Sequence, residues 1–286
     1  PDPVRSTVWP PNRNYRGAEM DPGRGPTWRW GSRTHVMGIV NATDDSFSGD
    51  GLLEIDAAVR LAESFVSAGV DIIDVGGASS RPGAAPTPVN VELQRVIPII
   101  TAIRAHVELP ISIDTTWAAV AEAALDAGAD VVNDITGLQL DQDLVALVAD
   151  RNVTVVAMHN QRNRPHTDVI ADIEAGFRQT LDICARAGLA DDKVILDPGF
   201  GFGWSVTQNL EILRRLPELW DIELPLLIGT SRKSSIGTVI GADISGRRFG
   251  TAATIAQAIC AGVDFVRVHD AGEMCDVVTM TDAIVR

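Results

Sequence analysis

The sequence predicts a single-domain (β/α)8 TIM barrel of the α/β class, preceded by a flexible N-terminal extension. Short apolar runs alternate eight times with helix-like stretches, and most runs are apolar on both faces. The length of 286 residues is close to the ~250 residues typical of such barrels. Alternation implies parallel strands, and eight units suffice to close the sheet. A doubly wound open sheet is the alternative, but Asn41-Ala-Thr follows the first run instead of a glycine-rich phosphate fingerprint.

The extension is predicted over residues 1–27, and the barrel over residues 28–286. Residues 1–27 are rich in Pro, Arg, Gly and Asn, with Trp9 and Tyr15 as their large apolar anchors, which indicates a mobile segment. The strands are predicted at residues 35–40, 70–75, 110–113, 130–132, 153–158, 194–196, 224–228 and 265–268. The helices are predicted at residues 55–68, 91–106, 117–127, 144–149, 169–187, 208–216 and 249–261, with a last helix ending at 285.

The composition of the chain argues against two classes of binding partner, nucleic acids and membranes. A formal net charge of −14 argues against nucleic acid or an anionic membrane as a partner, and no stretch has the ~20 apolar residues of a membrane span. Cys184, Cys260 and Cys275 lie in helix-like stretches without metal-ligand spacing. They predict reduced thiols in a cytoplasmic protein.

A glycine-rich turn follows the sixth strand. The strand ends at Asp197, and glycines follow at positions 199, 201 and 203 before a helix begins. Glycine lets the backbone approach a ligand closely. An acid at the carboxyl end of a buried strand lies at the edge of the sheet where α/β folds place their chemistry.

The other predicted strands also end at polar residues. One such residue is more often a helix cap, but eight in eight units favour a site. These strand-end residues are Asn41, the loop 76–81, Asp114, Asn133, His159, Asp197, Lys233 and Arg267 with His269. Carboxylate and amide groups suit a flat heterocycle with N–H donors and a carbonyl, and Asp197 and Lys233 are expected to lie against each other. Arginine, histidine and asparagine suit phosphate oxygens.

Eight stretches in order resemble the dihydropteroate synthases, a family of pterin-binding barrels. They are residues 37–48 (MGIVNATDDSFS), 74–83 (DVGGASSRPG), 112–115 (SIDT), 132–134 (VND), 158–160 (MHN), 196–203 (LDPGFGFG), 231–234 (SRKS) and 267–270 (RVHD). The resemblance covers about residues 28–285. It implies a transferase of folate biosynthesis that joins 6-hydroxymethyl-7,8-dihydropterin diphosphate to p-aminobenzoate and is a target of sulfonamides.

The resemblance also implies the roles of individual residues. The catalytic residues would be Asp114, Asp197, Lys233, Arg267 and His269. The pterin site would comprise Asp114, Asn133, Met158, Asp197, Lys233 and Arg267. The diphosphate would contact Asn41, Arg81, Arg267 and His269, with Asn41 as a ligand of Mg2+. The p-aminobenzoate site would comprise Phe47, Ser80, Arg81, Pro82, Lys233 and Ser234. The loop at 43–51 would close over the substrates, and the apolar segment 252–261 would contribute to a homodimer.

Two further functions stay open at the level of sequence. A methyltetrahydrofolate-binding methyltransferase domain would share the barrel but would not need residues 231–234 or 80–82. A catalytically impaired pterin-binding paralogue is compatible with departures from the family pattern. These departures are Asp44, Gly49-Asp50, Ala78, Ser80, Thr116-Trp117 and Trp204.

Overall fold

The computed structural model describes residues 13–42, 51–79 and 85–286, and within them it forms a (β/α)8 barrel. The strands are Glu19–Met20 (β1), Trp28–Arg29 (β2), His35–Asn41 (β3), Ile72–Gly76 (β4), Ile111–Asp114 (β5), Val131–Asp134 (β6), Thr154–Met158 (β7), Val194–Asp197 (β8), Leu227–Ile228 (β9) and Phe265–Val268 (β10). The α-helices are Gly51–Ala68 (α1), Val89–His106 (α2), Ala118–Asp126 (α3), Gln142–Asp150 (α4), Val169–Ala187 (α5), Val206–Arg215 (α6), Ser234–Ile240 (α7), Arg248–Cys260 (α8) and Ala271–Val285 (α9).

Strands β3 to β10 form one parallel sheet that closes on itself. Seven neighbouring pairs run in the order β8-β7-β6-β5-β4-β3-β10-β9. A parallel bridge between Leu196 and Leu226 links β8 to the start of β9, supported by a 3.0 Å hydrogen bond from the Leu196 N–H to the Pro225 carbonyl. The predicted barrel is therefore confirmed, and the open-sheet alternative is wrong.

The strands alternate between two apolar environments, as a period of two requires. One set of side chains packs outward against the helices, as Ile73 and Val75 of β4 do. The other set, including Ile72, packs inside the barrel with the N-terminal hairpin. The next inward-facing residue of β4 after Ile72 is Asp74, which is fully buried. The interior therefore changes from apolar to polar toward the carboxyl ends of the strands.

The segment before the barrel differs in part from the expected flexible extension. Residues 1–12 lie outside the described residues, but residues 13–27 pack on the barrel. Strands β1 and β2 pair antiparallel, and Met20 and Trp28 are buried against the inner apolar cluster. The buried Arg13 guanidinium pairs with Asp264 at 2.6 Å. The correction has a physical cause, because buried polar and aromatic contacts with distant residues order a segment that its composition suggests is mobile.

Helix α7 was not predicted. It has only seven residues and contains Gly237, so it shows too little periodicity to be recognised in the sequence. It begins directly after Lys233 and therefore fixes the position of that residue. No helix in the part of the chain that the structure describes is long and apolar enough to cross a membrane.

Candidate active site

Arg267 occupies the polar centre of the barrel between two carboxylates. Its Nε donates to Asp74 Oδ2 at 2.7 Å, and its Nη2 donates to Asp114 Oδ2 at 2.7 Å. Asp74 is fully buried, whereas about a fifth of the Asp114 and Arg267 side chains is exposed. The amide of Asn133 donates to Asp74 as well, with Nδ2 at 3.2 Å from Oδ2. Asp74 thus joins β4, β6 and β10 beneath the opening of the barrel.

The position of Arg267 follows from the strand register. Arg267 pairs with Met37 of β3, and Ile39 on the same strand pairs with Asp74 of β4. Inward-facing residues on these three adjacent strands therefore meet near the barrel axis. An arginine here stays charged because two carboxylates offset its burial.

Burial sets the protonation behaviour of Asp114. It raises the pKa of the Asp114 carboxyl to about 7, Arg267 opposes the rise, and the Asp74 carboxylate adds to it. For Arg267, the two carboxylates outweigh the opposing effect of burial and raise its pKa above the ordinary value. The site therefore holds a permanent cation beside a carboxyl group that titrates near neutral pH.

Asp197 lies at the end of β8, where its carboxylate holds the glycine-rich turn. Its Oδ1 accepts a hydrogen bond from the Gly199 N–H at 2.7 Å, the single hydrogen bond to this carboxylate among the described residues. Gly199 has a φ of 76°, and a Cβ there would lie 1.9 Å from the His159 carbonyl oxygen. Burial raises the pKa of Asp197 to about 6, against the effects of the Gly199 N–H and Lys233. The Oδ2 atom remains available to a ligand.

Lys233 immediately precedes α7, and its side chain packs against the glycine-rich turn that follows Asp197. A Cβ on Gly201 would come within 3.0 Å of Lys233 Cδ, so the lysine stem packs on the backbone of the turn. Its Nζ lies 4.1 Å from the centre of the Phe202 ring. Burial lowers the pKa of Lys233 to about 8, Arg267 lowers it further, and Asp197 raises it. Among the described residues Asp197 is an electrostatic partner of Lys233 without a direct ion pair, which corrects the expected close contact.

His269 stands beyond the end of β10, against Ser231. The Ser231 Oγ accepts a hydrogen bond from the His269 backbone N–H, with the two heavy atoms 3.2 Å apart. The same Oγ lies 3.0 Å from Nδ1 of the His269 ring. Burial lowers the pKa of His269 to about 3, and the nearby Arg267 and Arg232 add to the effect. The imidazole is therefore neutral at physiological pH, and an anion bound beside it would raise its pKa.

Other residues predicted for the site have different outcomes. Asn41, at the carboxyl end of β3, is half-buried, Met158 is buried at the end of β7, and Ser234 is exposed at the start of α7. Phe47, Ser80, Arg81 and Pro82 lie outside the described residues, as do most of the loop at 43–51 and the departures Asp44, Gly49-Asp50 and Ser80.

His159 does not join the cluster, although it follows a strand. Its ring is buried, with Nε2 2.8 Å from Gln161 Oε1, and it occupies the space beside Gly176 of α5, where a Cβ would lie 1.9 Å from Nδ1. Trp204 packs against this ring with the two centroids 5.8 Å apart. His159 therefore belongs to the packing between barrel and helix, because its side chain points outward from the sheet.

Asp74 is the main site residue that the sequence reasoning missed. It lies within an apolar run, Ile72-Ile-Asp74-Val, where an acid is easily taken for a strand boundary. The available signal was the period of two, which places Asp74 on the inner face with Ile72 and Gly76. Phe202 and Arg162 were also missed, and the structure brings both to the Lys233 side of the site.

Comparison with known proteins gives the class of this barrel. Residues 37–269 match the model of the family described as pterin binding enzyme. This range includes the cluster around Arg267 and the glycine-rich turn at Asp197. The fold and the site thus define a pterin-binding barrel enzyme.

The relatives give the particular family. Dihydropteroate synthase from Synechocystis sp. is 43% identical over 267 residues, covering 90% of this chain and 92% of the relative. Dihydropteroate synthase from Clostridium difficile, solved with pteroic acid, has a TM-score of 0.87 at 44% identity and covers 90% of this chain and 98% of that one. The Xanthomonas albilineans enzyme, solved with 4-aminobenzoic acid, has a TM-score of 0.86 at 38% identity, covering 94% and 98%. The chain belongs to the dihydropteroate synthase family, transferases of folate biosynthesis, and nothing in these comparisons supports either alternative function.

Proposed function

We propose that this chain condenses 6-hydroxymethyl-7,8-dihydropterin diphosphate with p-aminobenzoate, giving 7,8-dihydropteroate and pyrophosphate. The observation that carries the proposal is the Arg267 guanidinium, bound to Asp74 and Asp114 in the polar centre of a pterin-family barrel. Related enzymes solved with pteroic acid and with 4-aminobenzoic acid support the two substrate classes.

The pterin is proposed to bind over this centre. Its ring edge carries N–H donors and a carbonyl acceptor, and Asp114, Asn133 and Asp197 offer complementary carboxylate and amide groups. Lys233 donates to a ring acceptor, Arg267 lies along the ring face, and Met158 supplies an apolar contact. A carboxylate that accepts an N–H of the ring needs its charge, so binding favours the ionised forms of Asp114 and Asp197.

The diphosphate is proposed to lie toward β3 and β10, near Asn41, Arg81, Arg267 and His269. The donor set suits Mg2+ on a diphosphate, because the half-buried Asn41 offers an amide oxygen at the carboxyl end of β3, and Mg2+ commonly takes one or two protein oxygens besides phosphate and water. The Asn41 amide oxygen would hold the ion. Bound there, Mg2+ would offset charge on the departing diphosphate.

The reaction breaks the bond between the pterin methylene carbon and the diphosphate oxygen. The electron pair leaves with the diphosphate, where Arg267 and His269 stabilise the negative charge. The amine nitrogen of p-aminobenzoate forms the new bond to the methylene carbon and then loses a proton. Phe47, Ser80, Arg81, Pro82, Lys233 and Ser234 are the residues proposed to hold p-aminobenzoate.

The proposed cellular setting is a cytoplasmic homodimer. Cys184, Cys260 and Cys275 are free thiols, which suits a reducing compartment. Exposed apolar side chains on α8 and α9 support the dimer, since Phe249 is 86% exposed and Ile284 69% exposed. Helix α8 itself buries Ile255 and Ile259 against the barrel, so the contact surface includes fewer residues of 252–261 than the sequence suggested.

Pyrophosphate release tests the proposed function. Purified protein with Mg2+ and both substrates is expected to release one pyrophosphate for each dihydropteroate formed, and omission of p-aminobenzoate should abolish the condensation product. Pterin binding without product would instead indicate the impaired paralogue. Transfer of a methyl group from methyltetrahydrofolate would indicate the methyltransferase alternative.

A further inference from the structure

Two cations share the Phe202 ring at the edge of the site. Lys233 Nζ lies 4.1 Å from the ring centre and Arg162 Cζ lies 4.6 Å from it. Both distances start from the same ring centre, so the two cations lie no more than about 9 Å apart. Phe202 is only 6% exposed, which makes each cation–π contact stronger than a solvated one.

Backbone contacts fix the loop that carries Arg162 against the glycine-rich turn. The Arg162 N–H donates to Asn160 Oδ1 at 3.1 Å, and the Gln161 N–H donates to the Phe202 carbonyl at 3.1 Å. The two loops are in close contact at Gly203, where a Cβ would lie 2.4 Å from the Arg162 nitrogen. The loop that carries Arg162 therefore packs against the glycine-rich turn that follows Asp197 and contains Phe202.

We propose that Arg162 is a positioning residue for Lys233, acting through the Phe202 ring that the two cations share. The Arg162 guanidinium packs on the Phe202 ring and so helps to fix it, and the ring in turn positions the Lys233 ammonium, whose stem packs on Gly201. The positive charge of Arg162 also makes a second cation at Lys233 less favourable. This role rests on the proposed function, because it concerns the lysine that the pterin would contact.

Lys233 is faced by charged groups from several elements. Asp197 faces it from β8, Arg267 from β10, Asp114 from β5 and Arg162 from the loop after β7. The cations lower the pKa of Lys233, the carboxylates raise it, and burial lowers it most. Loss of the Arg162 charge should therefore allow Lys233 to keep its proton to higher pH.

The test is the pH dependence of binding of a 7,8-dihydropterin, measured by calorimetry. For the wild-type protein, affinity is expected to fall above about pH 8, where Lys233 loses its proton. In Arg162→Gln this decline should move up by at least about 0.3 to 1.4 pH units, the range that Coulomb's law gives for a unit charge about 9 Å away, which is the largest separation that the two ring distances allow. Arg162→Lys should restore the wild-type profile, since it returns a cation to the ring.

Two further variants show whether Lys233 causes the alkaline decline in affinity and whether Arg162 causes its shift. Lys233→Arg should have no such decline, because arginine does not titrate in this range. Arg164→Gln is the matched control in the same loop: its guanidinium donates to Gln139 at 2.5 Å, and its removal should leave the alkaline decline within about 0.2 pH units of the wild-type position. Arg162→Met keeps a long side chain on Phe202 without the charge and replaces the glutamine variant if that one fails to fold.

The outcomes separate this inference from the proposed function. If the wild-type protein binds no dihydropterin at any pH, the proposed function fails. If it binds with a decline near pH 8 that both neutral Arg162 variants leave in place, Arg162 does not act on Lys233 and the inference is overturned. A decline that persists in Lys233→Arg belongs to another group and overturns it equally.

Discussion

Arg267 and the fully buried Asp74 form an ion pair across the inside of the barrel, on strands that flank β3. The Nε–Oδ2 distance is 2.7 Å, and the Asp74 carboxylate also accepts the Asn133 amide. Asp114 is the second partner of the guanidinium, but it lies closer to the carboxyl ends of the strands and is partly exposed. A pterin could therefore compete for Asp114 while Asp74 keeps Arg267 in place. We infer that Asp74 anchors the site and Asp114 is the carboxylate that recognises the ligand.

This division of roles predicts that Asp74→Asn destabilises the fold as well as the site. Loss of one partner of a buried pair costs about 3 to 5 kcal/mol, and we expect the lower end because Arg267 keeps Asp114. Urea unfolding measures the change. Glu174→Gln is the control, since it removes one partner of the exposed Arg178–Glu174 pair and should cost under about 1 kcal/mol. Equal stability of Asp74→Asn and wild type would show that Asp74 is no anchor.

Pterin affinity should depend on pH with a maximum between about pH 7 and 8. The pKa of Asp114 is raised to about 7 and that of Asp197 to about 6, so both carboxyls become protonated as pH falls through these values and lose their capacity to accept ring N–H groups. Lys233 loses its proton above about pH 8. Calorimetry from pH 5 to 9 tests this profile. An affinity that stays constant from pH 5 to 7 would contradict recognition by these carboxylates.

Asn209 links the segments that carry Asp197 and Lys233. It is fully buried, its Oδ1 accepts the Gly201 N–H at 2.6 Å, and its Nδ2 donates to the Trp204 and Ser205 carbonyls and to Ser235 Oγ. Asn209→Ala would leave buried groups without partners, and we expect a loss of about 1 to 3 kcal/mol in the free energy of unfolding. Pterin affinity should fall as well. Urea unfolding and calorimetry together test this, and normal pterin binding in a destabilised variant would contradict the link to the site.

The sequence predicted most of the barrel but only part of its site. The helix Val169–Ala187 and the strand Phe265–Val268 were predicted with their observed ends, because Asp168 and Gly188 cap the helix and polar residues bound the short, mostly apolar strand. Strands β1 and β2 were missed, since two-residue strands depend on tertiary contacts such as Arg13–Asp264. Asp74 was missed because the period of two gives only its face of the sheet, whereas its ion pair with Arg267 depends on which distant strands become neighbours, and no local pattern records that register.

The homodimer predicts a specific disruptive substitution. Phe249→Asp places a charge where the proposed interface would exclude water, so light scattering at micromolar concentration should show a monomer mass, against a dimer for the wild-type protein. Leu140→Asp is the matched control, because Leu140 is 56% exposed on another part of the surface and should not affect the mass. A wild-type monomer would contradict the proposed dimer.

The affinity of a dihydropterin for Asp197→Asn and Lys233→Ala, compared with the wild-type protein, tests the pterin site most directly. Each variant removes one of the charged groups that are proposed to bind the ring, Asp197 at the end of β8 and Lys233 before α7. Calorimetry near pH 7.5 is expected to show tight binding by the wild-type protein and a loss of about 1.5 to 3 kcal/mol in each variant. Unchanged affinity in both variants would contradict the assignment of this barrel mouth to a pterin.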